Sequence, residues 1–178
     1  MKRHGAVVAV ILLAILSATA QDQDKSKRPS PPGTAEVTFS DGKKVTINYS
    51  RPYAKGRKIF GGLVPYNEVW RTGANEATSL KTDTDLVVGD TTVSAGSYTL
   101  YTVPSASSWK LIINKQTGQW GTNYDQGQDL ARVDMNVSSL PQPVEQFMIS
   151  FDKKGGDAAQ LNLQWEKTQA SVEVREKK

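Results

Sequence analysis

Residues 35–50 read AEVTFSDGKKVTINYS, and this stretch decides the fold. Val45, Ile47 and Tyr49 alternate with Thr46, Asn48 and Ser50, the two-residue period of a strand with one buried face. Ser40-Asp41-Gly42-Lys43 ahead of them is turn chemistry, so segments 35–39 and 44–49 form a hairpin. Later candidate strands lie at 79–82, 86–88, 91–93, 98–103 and 109–114. Others follow at 130–137, 145–151, 160–165 and 171–174. Gly89-Asp90, Ala95-Gly96 and Lys154-Gly155-Gly156-Asp157 punctuate these runs.

No window sustains a helical period, and there is no internal repeat. About ten short strands with frequent turns describe an all-β, antiparallel domain, a β-sandwich of jelly-roll-like or Greek-key type. A closed barrel is the alternative, because strand order is not written in the sequence.

Two stretches break the strand rhythm. Residues 51–78, RPYAKGRKIFGGLVPYNEVWRTGANEAT, hold five basic residues, two glutamates and four aromatics with no steady period. A connection this long and rich in side chains is expected to bind something or to pack as a lid. Residues 115–129, KQTGQWGTNYDQGQD, carry Trp120, Tyr124 and Asp129. In a sandwich the long loops gather at the sheet ends, where these two can meet.

The start of the chain reads as an address. Lys2, Arg3 and His4 precede an apolar run from residue 6 to 16, and Ala18-Thr19-Ala20 offers a signal peptidase its small residues. The run is too short to span a bilayer comfortably, so residues 1–20 are expected to be cleaved. The expected product is secreted, periplasmic or extracellular, with no membrane span left. Residues 21–33, QDQDKSKRPSPPG, are polar and proline-rich and read as a flexible leader. Residues 34–176 then form a single domain, long enough for a sizeable core.

The formal charge of +4 comes from 22 Lys+Arg against 18 Asp+Glu. Without Lys2 and Arg3 the balance is 20 against 18, or +2, and no basic stripe of the kind nucleic acids require is present. The chain has no Cys, and its only His, His4, lies in the expected signal. A mature chain cut there has no Ser–His–Asp or Cys–His nucleophile system, no typical His/Cys zinc site and no disulfide. No cofactor or metal is expected.

The residues also carry a likeness. The 50–78 stretch, with AGSYTLYTVP, SWKLIINK and NYDQGQDLARV, resembles the secreted bacterial domain-of-unknown-function family 2911. Ser50-Arg51-Pro52, Lys55-Gly56-Arg57, Val64-Pro65-Tyr66, Trp70 to Glu76 and Ala95-Gly96-Ser97-Tyr98 look like its signature. Asn67 departs from the small residue expected there. The resemblance implies secretion, one β-rich domain and an important 51–78 loop; it implies no activity.

Three function classes follow. In the first, a non-catalytic module binds a small molecule or glycan through Arg51, Arg57, Tyr66, Trp70, Arg71, Asn75 and Glu76, with Tyr124 and Asp129 from the second loop. Arginine offers a fork to an anion, and aromatic faces accept sugar rings. The second is a hydrolase using Glu76 with Glu68 or Asp129, which needs a carboxyl of raised pKa because no His serves near neutral pH. The third is an envelope protein docking a partner through Tyr53, Phe60, Tyr66 and Trp70. Against the first two stands a self-packed loop, pinned by Glu76 on Arg71 or Arg57. Arg71, Asn75 and Glu76 are expected to fold the 70–78 segment back on the sheet.

Weaker patterns are set aside. GRKIFGG lacks the Gly-Lys-Ser/Thr ending of a phosphate loop. Ser107-Ser108-Trp109-Lys110 has Ser-x-x-Lys spacing, but on a strand rather than at a helix start. Asp83, Asp85 and Asp90 fit no calcium loop.

Overall fold

The structure, a computed structural model, describes residues 24–178. The signal reading of residues 1–20 and the first residues of the leader therefore lie outside the described residues. The described residues form nine strands: β1 (Pro32–Thr38), β2 (Lys44–Ser50), β3 (Thr78–Thr82), β4 (Leu86–Val88) and β5 (Thr91–Val93), then β6 (Gly96–Pro104), β7 (Trp109–Asn114), β8 (Asp129–Gly155) and β9 (Ala158–Glu176). The described residues contain no α-helix, only 3-10 turns at Lys25–Lys27 and Gln126–Gln128. None of their helices is long and apolar enough to cross a membrane.

The opening hairpin forms as its alternation dictates. Ala35 faces Ile47 and Val37 faces Val45, and all four are buried. At the turn Gly42 has φ +87°, the left-handed region where glycine has no Cβ to clash. Asp41 Oδ1 accepts from Lys43 N at 3.0 Å.

Every pairing is antiparallel, in the order β1-β2-β3-β6-β7-β8-β9-β4-β5. The long β8 bends this sheet over on itself. It pairs with β7 as far as Met135 and with β9 from Asn136 onward. Its second half returns over the end of β2, where Phe147 N donates to Pro52 O and Ala54 N to Glu145 O. Ile149 N donates to the Tyr49 hydroxyl at 2.9 Å. Val45, Ile47, Leu80, Leu100, Leu111 and Ile113 thereby face Leu86, Val88, Phe151, Leu161 and Val174 across one apolar core.

Two expectations are corrected. The segments at 130–137 and 145–151 are one strand, as are those at 160–165 and 171–174. Pro141 and Pro143 look like a strand break, because proline cannot donate to a ladder. Here the chain absorbs them in a bulge: between the pairs Ser139↔Thr168 and Val144↔Glu166 the two strands advance unequally, and Glu166 takes φ +50°. The strand after the leader starts at Pro32, and the residues just before it are held in place. Arg51 N donates to Pro31 O at 2.8 Å, and Arg28 contacts Glu76. Residues 24–33 are thus a strap on the domain rather than a loose leader.

Candidate functional site

The connection from β2 to β3 is irregular in backbone yet anchored in the core. Phe60 is buried, and its ring centroid lies 4.7 Å from that of Trp109, edge to face. Trp70 lies 5.1 Å from Phe147 and is stacked on Trp165 at 5.8 Å. These five rings fill one end of the folded sheet. Each edge-to-face pair is worth about 0.5–1.5 kcal/mol beyond its burial. The loop backbone also joins the sheet edge, with Trp70 N donating to Thr102 O (2.7 Å) and Thr102 N to Trp70 O (2.9 Å).

Next to this anchor the chain is strained. Lys55, Asn67, Thr72 and Asn75 all have φ between 50° and 64°. Asn tolerates this region; β-branched Thr72 rarely enters it, and it is fully buried here. The surroundings hold it there. The Thr72 hydroxyl lies 3.1 Å from that of Thr102, and Thr78 Oγ1 donates to Thr72 O at 2.8 Å. Asn67, the departure from the family pattern, supplies a left-handed turn with φ +64°.

The 115–128 segment lies against the strained stretch. Gly121 N donates to Asn75 O at 2.9 Å and Ala77 N to Gln119 O at 3.1 Å. Together the two segments wall a cleft of about 650 Å³. Its apolar lining includes Leu63, Val64, Pro65, Val69, Trp70 and Trp165, and Tyr101 and Tyr124 form an edge-to-face pair at 4.8 Å on another side. Its charged groups are Arg57, Arg71 and Glu68.

Five of the expected residues therefore share this cleft: Arg57, Glu68, Trp70, Arg71 and Tyr124. Arg57 is held by loop carbonyls, Nε to Ala54 O at 2.9 Å and one terminal nitrogen to Tyr53 O at 2.7 Å. Arg71 Nε donates to Gly73 O at 3.3 Å. The Tyr124 hydroxyl donates to Asp129 Oδ2 at 2.6 Å and accepts from Arg132 at 2.8 Å. Burial, reinforced by the neighbouring Asp129 carboxylate, pushes the phenol up to about 12, so it stays neutral.

The other five do not line the cleft. Arg51 lies along β1, its stem so close over Gly33 that a Cβ there would sit 2.5 Å from Arg51 Cδ. Tyr66 covers Gly61 and is 38% exposed. Asn75 Nδ2 donates to Ser30 O (3.1 Å) and Ser50 Oγ (3.3 Å), a structural role. Asp129 is occupied by Tyr124, Asn114 and Arg132.

Glu76 faces a separate groove shared with Lys25, Arg28 and Ser30. Its partner is neither Arg57 nor Arg71. A terminal nitrogen of Arg28 reaches both its carboxylate oxygens, at 2.8 and 2.9 Å, and Lys25 Nζ lies 3.4 Å away. Arg28 above all holds this carboxyl down to about 2. A general acid needs a raised pKa, and the Arg28 and Lys25 contacts push this carboxyl the opposite way. Glu68 is the only carboxylate among the described residues lining the cleft, so the carboxylate pair of the hydrolase reading is not assembled. Of the residues in the docking reading, Phe60 is buried and Trp70 partly so, while Tyr66 is exposed.

Sequence reading missed Arg28, Tyr101, Gly121, Arg132 and Trp165. Tyr101 and Trp165 read as strand residues, and nothing in alternation marks which of them end at a cleft. The strap was set aside for its composition, which hid Arg28. Among the described residues no group of three or more His, Cys, Asp or Glu comes together to hold a metal.

A family model described as a protein of unknown function, DUF2911, matches residues 30–174. No curated protein and no solved structure shows significant similarity to the chain.

Proposed function

The chain belongs to the DUF2911 family, whose function is unknown, and from that premise we propose that it is a non-catalytic binding module for a small or glycan-like ligand. The observation that carries this reading is the cleft. About 650 Å³ of concave, largely apolar surface with a few converging polar groups is the ordinary form of a small-molecule site. The strained backbone beside it supports the same reading, since such strain gathers where ligands are held. The test is a thermal-shift screen with sugars, peptidoglycan fragments and organic anions, run on the wild type and Trp70→Ala. A compound that stabilises the wild type and not the variant is expected. A screen in which no class distinguishes the two proteins removes the site.

The module is proposed to act outside the cytoplasm, on the strength of the charged start, apolar run and Ala18-Thr19-Ala20. Mass analysis of the exported chain should find Gln21 at its N-terminus. Retention of the first twenty residues would refute cleavage there.

A further inference from the structure

We infer that the cleft selects an acidic ligand, a carboxylate on a ring-bearing body, with Arg71 and Arg57 receiving the carboxylate. The inference rests on the cleft being the binding site proposed above and adds the charge of what enters it.

The argument begins with donors. A guanidinium has five N–H groups and no acceptor. Arg71 spends its Nε on Gly73 O, and its two terminal nitrogens have no hydrogen-bond partner among the described residues. Arg57 spends Nε and one terminal nitrogen on the carbonyls of Ala54 and Tyr53, and its other terminal nitrogen has no hydrogen-bond partner among the described residues. Neither arginine lies within ion-pairing distance of a carboxylate of the described residues, whereas Arg28, Arg132 and Arg175 each do. Two cations share the cleft with a single carboxylate, Glu68, and neither is ion-paired with it, so the site carries unmet positive charge.

Both are pre-set. The two carbonyl bonds hold Arg57, so little rotamer freedom remains to be lost on binding. The Arg71 stem is seated against Gly121, where a Cβ would come within 2.7 Å of Arg71 Cδ. The remaining wall is aromatic and aliphatic, from Trp70, Tyr101, Tyr124 and Leu63, and suits a ring rather than a bare inorganic ion. Glu68 shares the cleft unpaired among the described residues. Its negative charge opposes an anion, so it tempers affinity.

The experiment uses the full chain and its own tryptophans as reporters. Fluorescence is titrated at low ionic strength with two matched pairs, glucuronate against glucose and benzoate against benzamide. The acid of at least one pair is expected to bind roughly tenfold more tightly than its neutral twin, the size of one charge-assisted bond. Arg71→Gln should bring that ratio close to one with the thermal midpoint retained, and Glu68→Gln should raise it. If Arg71→Gln does not fold, Arg71→Lys keeps the charge without the fork, and the ratio should fall without vanishing. Equal binding of acid and neutral twins overturns acid selectivity and leaves the cleft as a binding site. Saturable binding by none of the four overturns the inference together with the reading beneath it. An acid preference that survives both Arg71→Gln and Arg57→Gln overturns the assignment to these arginines.

Discussion

Glu76 shows how far a single residue's meaning depends on its partner. Alone it is a carboxylate in a side-chain-rich loop. Beside Arg28 and Lys25 it is a fastening that ties the strap to the loop. Its side chain is 42% exposed, so water screens the pair and its worth is modest, under ~1 kcal/mol. Glu76→Gln is therefore expected to lower stability at pH 7 by less than ~1 kcal/mol in urea denaturation. The pH dependence has a definite sign. The folded pKa, about 2, lies below the ordinary carboxyl value of 4.5. The contribution is thus complete above the ordinary value and is lost as pH falls from there toward 2. The wild type and Glu76→Gln should converge in stability at the acid end of that window. A loss of several kcal/mol, or a gap that widens on acidification, would contradict the exposed-pair account.

At the scale of the element, the connection from β2 to β3 holds its shape without a ladder of its own. Phe60 and Trp70 enter the aromatic cluster with Trp109, Phe147 and Trp165, and the intervening turns then have little freedom. Pro52 and Pro65 narrow it further. Phe60→Ala removes a ring 6% exposed and leaves a cavity against Trp109, at a cost of about 3–5 kcal/mol. Because Phe60 anchors the wall of the cleft, the variant should also be cut faster by protease within residues 51–77. A variant that loses stability but keeps its loop protected would place the anchor elsewhere, on Trp70 alone.

On the scale of the whole molecule, β8 runs through both halves of the nine-stranded sheet and is expected to couple them in unfolding. Its first part belongs to the layer of β7 and its second to the layer of β9, with one apolar core between them. Neither layer can open without exposing the other's buried face. Unfolding is expected to be a single transition, with tryptophan fluorescence and far-UV circular dichroism coinciding in urea. Separate midpoints would mean that the layers unfold independently. Most contacts join residues far apart in sequence, as where β1 packs near β8, so refolding should be slow for a domain of this size.

What the sequence determined by itself was local. Alternation in 44–49 placed β2, because a strand with one wet face repeats every two residues, and short apolar runs between turn residues placed β4, β5 and β7. The two irregular segments were visible as breaks in that period. Arg57, Trp70, Arg71 and Tyr124 could be picked out there because long polar and aromatic side chains collect in loops that do something. Tertiary structure decided which of these side chains converge. Asn75 and Glu76 follow Arg71 by four and five residues, yet they turn to the strap, since the left-handed backbone at Thr72 and Asn75 redirects the segment there. The continuity of β8 through Pro141 and Pro143 was also a tertiary outcome. A proline's missing N–H costs nothing where a bulge has already interrupted the ladder, and only the partner strand shows where that is.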